Sequence, residues 1–392
     1  MKPLSGVRIV AVEQFGAAPY GSMFLADLGA EVIKIENSAT SGDPARYTGP
    51  YHLGRADSEY FQTWNSNKHS VMLDLRSEAG RATLLRLAAS ADALVNNLRG
   101  DLPAALGLDY ANLSRVNPAI VCLHISAYGR DNERASWPGY DYLMQAESGM
   151  MALTGEPDGP PSRIGAPSMI DHVTGLTGTV GLLAALLSAK TTGQGCDVDT
   201  CLFDVALHQL GYTAIWQLNE GHNFERQPRS SHFSVAPVQT FPTADGWVFI
   251  MCMTDKFWHA LTSGIDAASL ESDPRFATAT SRMTHRAELT GELDRIFRQR
   301  PSAHWLSVLR GRLPIAPVLT VDQALANPFV QATGMVNQVG HPERADFRML
   351  ANPLKINGER PVQHACAALG ADTAQYAAQY ADTLAAPARE PQ

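Results

Sequence analysis

Asp171 is the residue of this sequence whose type and position best suit covalent chemistry. It stands at the predicted start of a long helix, directly after a loop rich in Gly, Pro and Ser that runs from Gly155 to Ile170. A carboxylate at that point accepts backbone N–H groups and gains from the helix dipole, so an ordinary N-cap is one interpretation. The other is a nucleophile, because an ionised, fixed carboxylate can attack an electrophilic carbonyl. Nearby glycines would let N–H groups approach the resulting oxyanion.

The loop from Glu13 to Pro19 is a second candidate for ligand binding. It follows a predicted strand and precedes a helix, so its N–H groups could bind an anion at the carboxyl edge of an open sheet. It lacks the GxGxxG pattern of dinucleotide-binding proteins. Four basic residues near predicted strand ends or loops could meet phosphates, although solvated surface charge is the default for each: Arg46, Lys68, Arg76 and Arg99.

Motifs for other kinds of chemistry are absent from the sequence. The 12 histidines include no HExxH pair, and neither GxSxG nor GxxxxGK[ST] occurs. The 5 cysteines are scattered and odd in number, which indicates neither a disulfide framework nor a zinc site. Gly175, Gly178 and Gly181 share one stripe of a predicted helix, a spacing typical of close helix packing. No metal is therefore expected.

Composition describes a well-packed protein of two or three domains. The chain has 392 residues, of which 45% are hydrophobic and only 18% charged, and its net charge is −8. This balance excludes disorder, favours an oligomer, and gives no reason to expect binding to nucleic acid or to an anionic membrane. The N-terminal apolar run is too short for a signal peptide, and the stretch from Leu176 to Ala189 is too short and too interrupted for a membrane span. A cytoplasmic location is expected.

Strand and helix patterns alternate through the first half of the chain. Predicted strands cover Val7–Val12, Glu31–Glu36, Ser70–Leu75, Ala93–Asn96 and Ala119–Ser126, and predicted helices cover Tyr20–Leu28, Ser77–Ala91, Tyr140–Gly149 and Asp171–Lys190. Alternation of this kind favours a parallel sheet with right-handed crossovers. Residues 1–200 are therefore predicted to form a large α/β domain with an open, Rossmann-like sheet.

The second half of the chain has a different pattern. Residues 201–228 are predicted as a helix and linker, with the helix from about Asp199 to Glu220. Residues 229–330 are predicted as a smaller α+β domain, because a hairpin pattern over 238–251 is followed by short amphipathic helices. Residues 331–392 are predicted to return to the large domain, with a helix near Thr373–Leu384 and a frayed tail over Ala385–Gln392.

Seven ordered segments give the chain a resemblance that covers almost its whole length. They are PLSGVRIV at the start, FLADLGAEVIKIE at 24–36, SGDPAR at 41–46, NSNKHSVMLDL at 65–75, NNLRGDLPAALGL at 96–108, PGYDYLMQAESGMMALTGEPDGPPSRIGAP at 138–167 and FPTADGWVFI at 241–250. Together they resemble the family III CoA-transferases, a group that includes formyl-CoA transferase, carnitine CoA-transferase and dicarboxylyl-CoA transferases, with the α-methylacyl-CoA racemases as relatives.

The resemblance implies a role for Asp171, in SMIDHVTGL, as the nucleophile. Attack on a donor thioester would give an aspartyl acyl anhydride and CoA thiolate. The thiolate would return to form an enzyme CoA-thioester, and an acceptor carboxylate would then complete the exchange. Such a reaction conserves the thioester energy only while water is excluded. Coenzyme A is then a substrate, and no tightly bound cofactor, metal or redox group is implied.

Tyr140 stands where the racemase relatives carry a His. A phenol with a pKa near ~10 is a poor proton shuttle at neutral pH, which favours transfer over racemisation. Tyr140 is therefore expected to line the acyl pocket together with Phe15 and Gly16, the latter standing where formyl-CoA transferase has a Gln.

Matching segments also imply the residues that bind CoA. These are Lys68, Leu73, Asn97, Leu98 and Arg99. Two arginines of formyl-CoA transferase are replaced here by Asn37 and Ala105. Arg99 and Lys68 are expected to substitute for them by forming charge-assisted bonds to the adenosine phosphates.

The resemblance favours acyl groups of dicarboxylic acids, with succinyl-CoA as a possible donor, and leaves several alternatives open. A distal carboxylate would need a cation, for which Arg163, Arg229 and Lys256 are candidates. The alternatives are intramolecular transfer of the mesaconyl-CoA type, an α-methylacyl-CoA racemase, and an idle acyl-CoA binder. The resemblance further implies an interlocked homodimer whose active site lies between one subunit's large domain and its partner's small domain, without nucleic acid or membrane partners.

Overall fold

The computed structural model describes residues 1–165 and 167–379, which divide into two compact units. The large unit contains Met1–Met150, Ile164–Trp216 and the described chain from Phe329 onward. The small unit contains Met151–Arg163 and Gln217–Pro328. Residues 151–163 thus group with the small unit, although the sequence pattern assigns them to the large domain. The large unit also continues beyond the predicted limit at residue 200.

A parallel sheet of six strands forms the centre of the large unit. Its strands are β1 (Arg8–Val12), β2 (Glu31–Glu36), β3 (His69–Met72), β4 (Ala93–Asn96), β5 (Val121–Ser126) and β6 (Asp197–Cys201), in the order β3-β2-β1-β4-β5-β6. β1 lies between β2 and β4, and its Val10 faces Ile33 on one side and Leu94 on the other. These apolar runs are buried because helices cover both faces of a parallel sheet. The predicted α/β fold class is confirmed.

Nine α-helices precede residue 221 in the described chain. They are α1 (Ala17–Asp27), α2 (Glu59–Gln62), α3 (Glu78–Ala89), α4 (Leu102–Leu106), α5 (Tyr110–Leu113), α6 (Asp141–Glu147), α7 (Met169–Thr192), α8 (Leu202–His208) and α9 (Tyr212–Glu220). The prediction of one helix over 199–220 is wrong. The first residues of that predicted helix belong to β6, whose alternating exposure is typical of an edge strand. The remainder is divided into α8 and α9, with Gly211 between them at φ 58°.

Close contact between α1 and α7 depends on glycine. A Cβ atom on Gly21 of α1 would lie 2.5 Å from the backbone oxygen of Gly175 in α7. Gly178 lies against the side chains of Leu123 and Ile125 of β5, and Gly181 lies against the side chain of Val198 of β6. The prediction that the three glycines of α7 serve close packing is therefore confirmed, since each meets a different neighbour.

Among the described residues, α7 is also the helix long and apolar enough to cross a membrane on length and composition alone. It has 24 residues and is therefore longer than the apolar stretch from Leu176 to Ala189. Of its most apolar window, 39% is buried within the chain. A core helix meets the same two criteria, and α7 packs on α1 and β5. The expectation that the chain has no membrane partner stays a prediction.

The small unit has an antiparallel sheet and its own core. The sheet consists of β7 (Val238–Pro242), β8 (Trp247–Met251) and β9 (Ile315–Pro317). Its helices are α10 (Asp255–Gly264), α11 (Ser269–Ser272), α12 (Ala279–Thr284), α13 (Arg286–Phe297), α14 (Ser302–Leu309) and α15 (Val321–Leu325). Phe241, Trp258, Phe276 and Phe297 are buried in the core between them. The predicted hairpin and the α+β character of this region are confirmed.

The C-terminal segment is joined to the large unit by a buried carboxylate. It contains α16 (Pro328–Ala332), β10 (Val336–Gln338), β11 (Arg348–Leu350) and α17 (Thr373–Gln379). Asp27 of α1 accepts hydrogen bonds from Asn352 and Gln363 of this segment, and also from Ser66 and Asn67. The rest of the helix predicted over 373–384, and the predicted frayed tail, lie outside the described residues.

Candidate active site

Asp171 lies in the first turn of α7, but it is not the residue that caps this helix. The N-cap position is held by Ser168, which adopts φ 55° and makes no side-chain cap hydrogen bond. Instead, one carboxylate oxygen of Asp141, at the start of α6, accepts the backbone N–H groups of Ile170 and Asp171. The carboxylate of Asp171 is therefore not needed for capping and is available for other chemistry.

Asp141 is itself held by a short chain of hydrogen bonds. The amide nitrogen of Gln145 donates to the second carboxylate oxygen of Asp141. The amide oxygen of Gln145 accepts the backbone N–H of Ile164, at a distance of 3.0 Å. Asp141 and Gln145 are both buried, so these contacts fix the segment leading into α7 relative to α6.

The carboxylate of Asp171 packs against the start of α1. A Cβ atom placed on Gly16 would lie 2.6 Å from Oδ2 of Asp171, so a side chain at position 16 would displace the carboxylate. Phe15 precedes this glycine with a left-handed backbone, at φ 57°, and its ring meets that of Tyr140 edge to face at 6.3 Å. The four residues predicted from the sequence as nucleophile and acyl pocket are thus neighbours.

These residues line a pocket of about 140 Å³ at the carboxyl end of the sheet. Three of the predicted CoA-binding residues, Asn97, Leu98 and Arg99, line the same pocket. Its other walls come from the ends of β1 and β5 and from the loop before α6: Gln14, Ala17, Ile125, Ser126, Ala127, Trp137, Pro138, Gly139 and Leu202. Parallel strands bring these loops to one edge of the sheet, which is where ligands bind in open α/β folds.

A larger cavity of about 320 Å³ adjoins this pocket and shares Gln14 and Leu98 with it. Its walls are mainly apolar and include Leu73, the fourth predicted CoA-binding residue, together with Leu75 and Leu102. Arg76 is also part of the lining and is exposed to solvent. The two spaces together could hold a ligand with an apolar or aromatic body and a reactive end beside Asp171.

Asn97 fixes the position of Gln14, which lines both spaces. Its amide oxygen accepts the backbone N–H of Gln14 at 2.9 Å, and its amide nitrogen donates to the backbone oxygen of Gln14 at 2.7 Å. Both ends of the Asn97 amide therefore hold the loop after β1. Arg99, in contrast, forms an exposed ion pair with Asp101 at 2.9 Å and could exchange that partner for a ligand phosphate.

Lys68 and Arg46 are the two basic candidates that the structure corrects. The Lys68 side chain is fully buried, and its ammonium group donates to Glu13, Pro19 and Asn65. Arg46 is buried as well and forms a two-pronged ion pair with Glu36. Neither has a nitrogen to offer a ligand, so the prediction that Lys68 binds a CoA phosphate is wrong. Its position in a matching segment did not reveal that it faces inward.

Burial controls the protonation of the residues around α7. Desolvation, assisted by the charge of Asp141 and opposed by a hydrogen bond from Ser168, raises the pKa of Asp171 to about 7. Burial lowers the pKa of the neighbouring His172. Its Nε2 atom accepts the Trp64 indole N–H at 3.1 Å, and its ring stacks on Tyr20 at 4.1 Å. A neutral His172 is therefore held by its aromatic neighbours rather than paired with Asp171.

The sequence did not reveal the residue that positions the main chain of Asp171. Asp141 follows Tyr140 in the PGYD segment, where the resemblance assigns a role only to the tyrosine. No local signal could have found it, because Asp141 opens α6, 30 residues before Asp171, whereas capping patterns are read next to the helix they cap. Among the described residues no cluster of three or more His, Cys, Asp or Glu side chains could hold a metal ion.

Comparisons with known proteins agree with this site. The model of CoA-transferase family III matches residues 4–373. The acetyl-CoA:oxalate CoA-transferase of Acetobacter aceti is 34% identical over 92% of this chain and 92% of its own, and the succinate–glutarate CoA-transferase of Agrobacterium fabrum is 32% identical over 85% and 84%. A CAIB/BAIF family protein from Brucella suis, known from a crystal structure, has a TM-score of 0.84 and 32% identity over 97% of this chain and 99% of that one. The chain therefore belongs to CoA-transferase family III, and it is a CoA-transferase.

Proposed function

We propose that this enzyme moves CoA from an acyl-CoA donor to a carboxylic acid by covalent catalysis at Asp171. The observation that carries the proposal is the placement of the Asp171 carboxylate. It is relieved of capping by Asp141, packed against Gly16, and positioned in a pocket that adjoins a larger, mainly apolar cavity. A nucleophile needs this combination of fixed position and access to a ligand.

The reaction divides into two half-reactions. The ionised Asp171 attacks the donor carbonyl, the C–S bond breaks, and an aspartyl acyl anhydride and CoA thiolate form. The thiolate then attacks the aspartyl carbonyl, which releases the donor acid and leaves an Asp171 CoA-thioester. In the second half the acceptor carboxylate attacks this thioester, and the returning thiolate takes the new acyl group and frees Asp171. Atoms balance without water, and the thioester bond is conserved.

The start of α1 is suited to stabilising the charge that develops in these steps. Gly16 is the N-cap of α1, and the first N–H groups of a helix have no partner within it. They begin beside the Asp171 carboxylate because Gly16 packs against it. Both the anion and the tetrahedral oxyanion would gain from these groups and from the positive end of the helix dipole.

The acyl group is proposed to be that of a short dicarboxylic acid, with succinyl-CoA as a donor. Two similar enzymes are named for succinate and glutarate and for oxalate. A pocket of about 140 Å³ with Phe15 and Tyr140 in its wall fits a short chain. Arg99 is the cation that lines this pocket. Among the cations of the small unit, Arg229 is engaged by Asp294 in a two-pronged ion pair, so it is a weaker candidate for a distal carboxylate than the sequence suggests.

An interlocked homodimer is part of the same proposal. Family resemblance is its main support. The chain's low charged fraction of 18% and the exposed apolar side chains on α7 agree with a large interface. Val180 and Leu187, both 70% exposed, are examples.

Mass spectrometry with succinyl-CoA and a panel of carboxylic acids tests the proposed function. Wild type should form a new acyl-CoA and a covalent acyl or CoA adduct, and Asp171→Asn should form neither. Lys190→Met, an exposed change in the last turn of α7, serves as the control and should behave as wild type. Transfer without an adduct on Asp171 would contradict the mechanism. Exchange of the α-proton of an α-methylacyl-CoA with deuterated water, without transfer, would replace it by racemisation.

A further inference from the structure

A buried cluster of four charges lies beneath the loop that packs on Asp171. It consists of Glu13, Lys34, Asp43 and Lys68. The side chains of Glu13, Lys34, Asp43 and Lys68 are all fully inaccessible to solvent. The proposed reaction uses none of these groups, and buried ion pairs contribute little net stability to a fold because desolvation offsets their attraction. Another role therefore has to account for them.

The cluster is bonded to the loop backbone on both sides of Gly16. The Lys34 ammonium donates to the backbone oxygen of Glu13 at 3.0 Å. The Asp43 carboxylate accepts the N–H of Phe15 at 3.3 Å. The Lys68 ammonium donates to the backbone oxygen of Pro19 at 2.9 Å. Charged groups from three separate segments thus define where the turn from β1 into α1 lies.

Ion pairs within the cluster connect these anchors to one another. Lys68 pairs with Glu13 at 2.7 Å, and Lys34 pairs with Asp43 at 2.9 Å. Lys34 also lies 3.8 Å from Glu13. Glu13 is part of the loop, so its pairing with Lys68 joins the beginning of the loop to the oxygen of Pro19, three residues beyond Gly16. Removing either charge would leave the other buried without its partner.

We propose that the Glu13 and Lys68 ion pair is a positioning device that holds the segment from Glu13 to Pro19 against Asp171, and that loss of the Lys68 proton releases this segment and ends activity. The inference rests on the proposed function of Asp171. Glu13 and Lys68 act through the loop rather than as reacting groups: residue 13 lines the larger cavity, but both side chains are fully buried.

Protonation within the cluster supports this role. Burial lowers the pKa of Lys68 to about 8, although Glu13 opposes the change. The other titratable groups that act on Lys68 are Lys34, which lowers this pKa further, and Cys366, whose own pKa burial raises to about 12. Lys34 and Lys68 lower the pKa of Glu13, so the carboxylate stays ionised. Lys68 is therefore the first member of the cluster to lose its charge as the pH rises.

The pH dependence of kcat separates this role from a merely structural one. Wild type should lose activity as the pH rises through about 8. Glu13→Gln keeps the shape of the side chain but removes the charge that favours protonated Lys68, so the loss should begin about 1–3 pH units lower. Lys68→Met should lower kcat about 100-fold at every pH, as expected for a misplaced catalytic site, with no alkaline loss of its own and a KM close to that of wild type.

Three controls keep the test decisive. Lys190→Met should follow the wild-type profile. Should Lys68→Met not fold, the double variant Glu13→Gln with Lys68→Met removes both buried charges, and it should show the low kcat without the alkaline loss. A Glu13→Gln profile that coincides with the wild-type profile would overturn the proposal. Adduct formation at Asp171 is measured in the same samples, so failure of the proposed function is seen separately, as the absence of adduct in wild type.

Unfolding cannot be mistaken for the predicted loss. The folded-state pKa of Lys68 lies below its ordinary value of 10.5, so the unfolded chain binds more protons at this site between about pH 8 and 10. Titration of Lys68 therefore makes the fold more stable, not less, as the pH rises through this range. Activity should therefore fall over this pH range, whereas the titration of Lys68 should not lower the thermal unfolding midpoint.

Discussion

The carboxylate of Asp141 accepts the backbone N–H of Asp171 at 3.0 Å, so it fixes the helical turn that carries the Asp171 carboxylate. The same oxygen also accepts the N–H of Ile170. Asp141 therefore has two effects on Asp171: it fixes the position of its main chain, and its negative charge contributes to the raised pKa of the Asp171 side chain. These effects can be separated by substitution.

Replacing Asp141 with Asn should shift the pH profile of the enzyme. The amide oxygen can still accept an N–H group, but the charge that helps to raise the pKa of Asp171 is lost. The acid side of the kcat profile, expected near pH 7 in wild type, should move to lower pH. Asp141→Ala removes the acceptor as well and should also lower stability by about 0.5–2 kcal/mol, as loss of a helix cap does. An unchanged acid limb in Asp141→Asn would contradict the charge effect.

Replacing Asp171 with Asn should abolish transfer and stabilise the protein at neutral and alkaline pH. The pKa of Asp171 rises from 3.8 to about 7 on folding. The native state therefore binds more protons between about pH 4 and 7, and wild-type stability falls as the pH rises through that window. Asp171→Asn does not titrate, so its Tm should exceed that of wild type by about 2–5 °C at pH 8 and match it at pH 4. Equal values at pH 8 would show that the buried carboxylate is not destabilising.

The sequence predicted the elements around this site better than the directions of their side chains. Apolar runs predict the parallel strands well, because a buried strand leaves a continuous signal, whereas β6 at the edge of the sheet alternates polar and apolar residues and was missed. Phe15, Gly16, Tyr140 and Asp171, which the resemblance assigns to one site, line one pocket, and their roles stay a prediction. It could not show that Lys68 points inward, since a lysine in a matching segment looks the same whether it meets a phosphate or a buried glutamate.

Replacing Gly16 with Ala should reduce kcat more than it reduces stability. The added methyl group would lie 2.6 Å from Oδ2 of Asp171, so the carboxylate or the loop must move. A displacement of about 1 Å at a reacting group can lower the rate about 100-fold. Gly291→Ala in α13 is the control, because a Cβ atom at this position meets open space. Gly6 is not used as a control because its φ is positive. Adduct yield and kcat should fall in Gly16→Ala and stay at wild-type values in Gly291→Ala.

Replacing Arg76 with Met should weaken binding of the CoA portion without slowing the chemistry. Arg76 lines the cavity that adjoins the Asp171 pocket. It is exposed, and a flexible cation there can meet a phosphate of the substrate. KM for the acyl-CoA should rise about 10-fold, as loss of one charge-assisted contact implies, while kcat stays within about twofold at saturation, because a contact made equally in the ground and transition states affects KM alone.

The size of the Arg76 effect should depend on salt and on the 3′-phosphate of CoA. Added salt screens an exposed charge, so the difference between wild type and Arg76→Met should shrink at high ionic strength. If Arg76 contacts the 3′-phosphate, a dephospho-CoA thioester should bind wild type and variant equally. Arg115→Met, a change at an exposed residue that lines neither cavity, serves as the control and should leave KM unchanged. An unchanged KM in Arg76→Met would contradict the phosphate contact at Arg76 and would make Arg99 the next residue to test, because Lys68 is committed to Glu13.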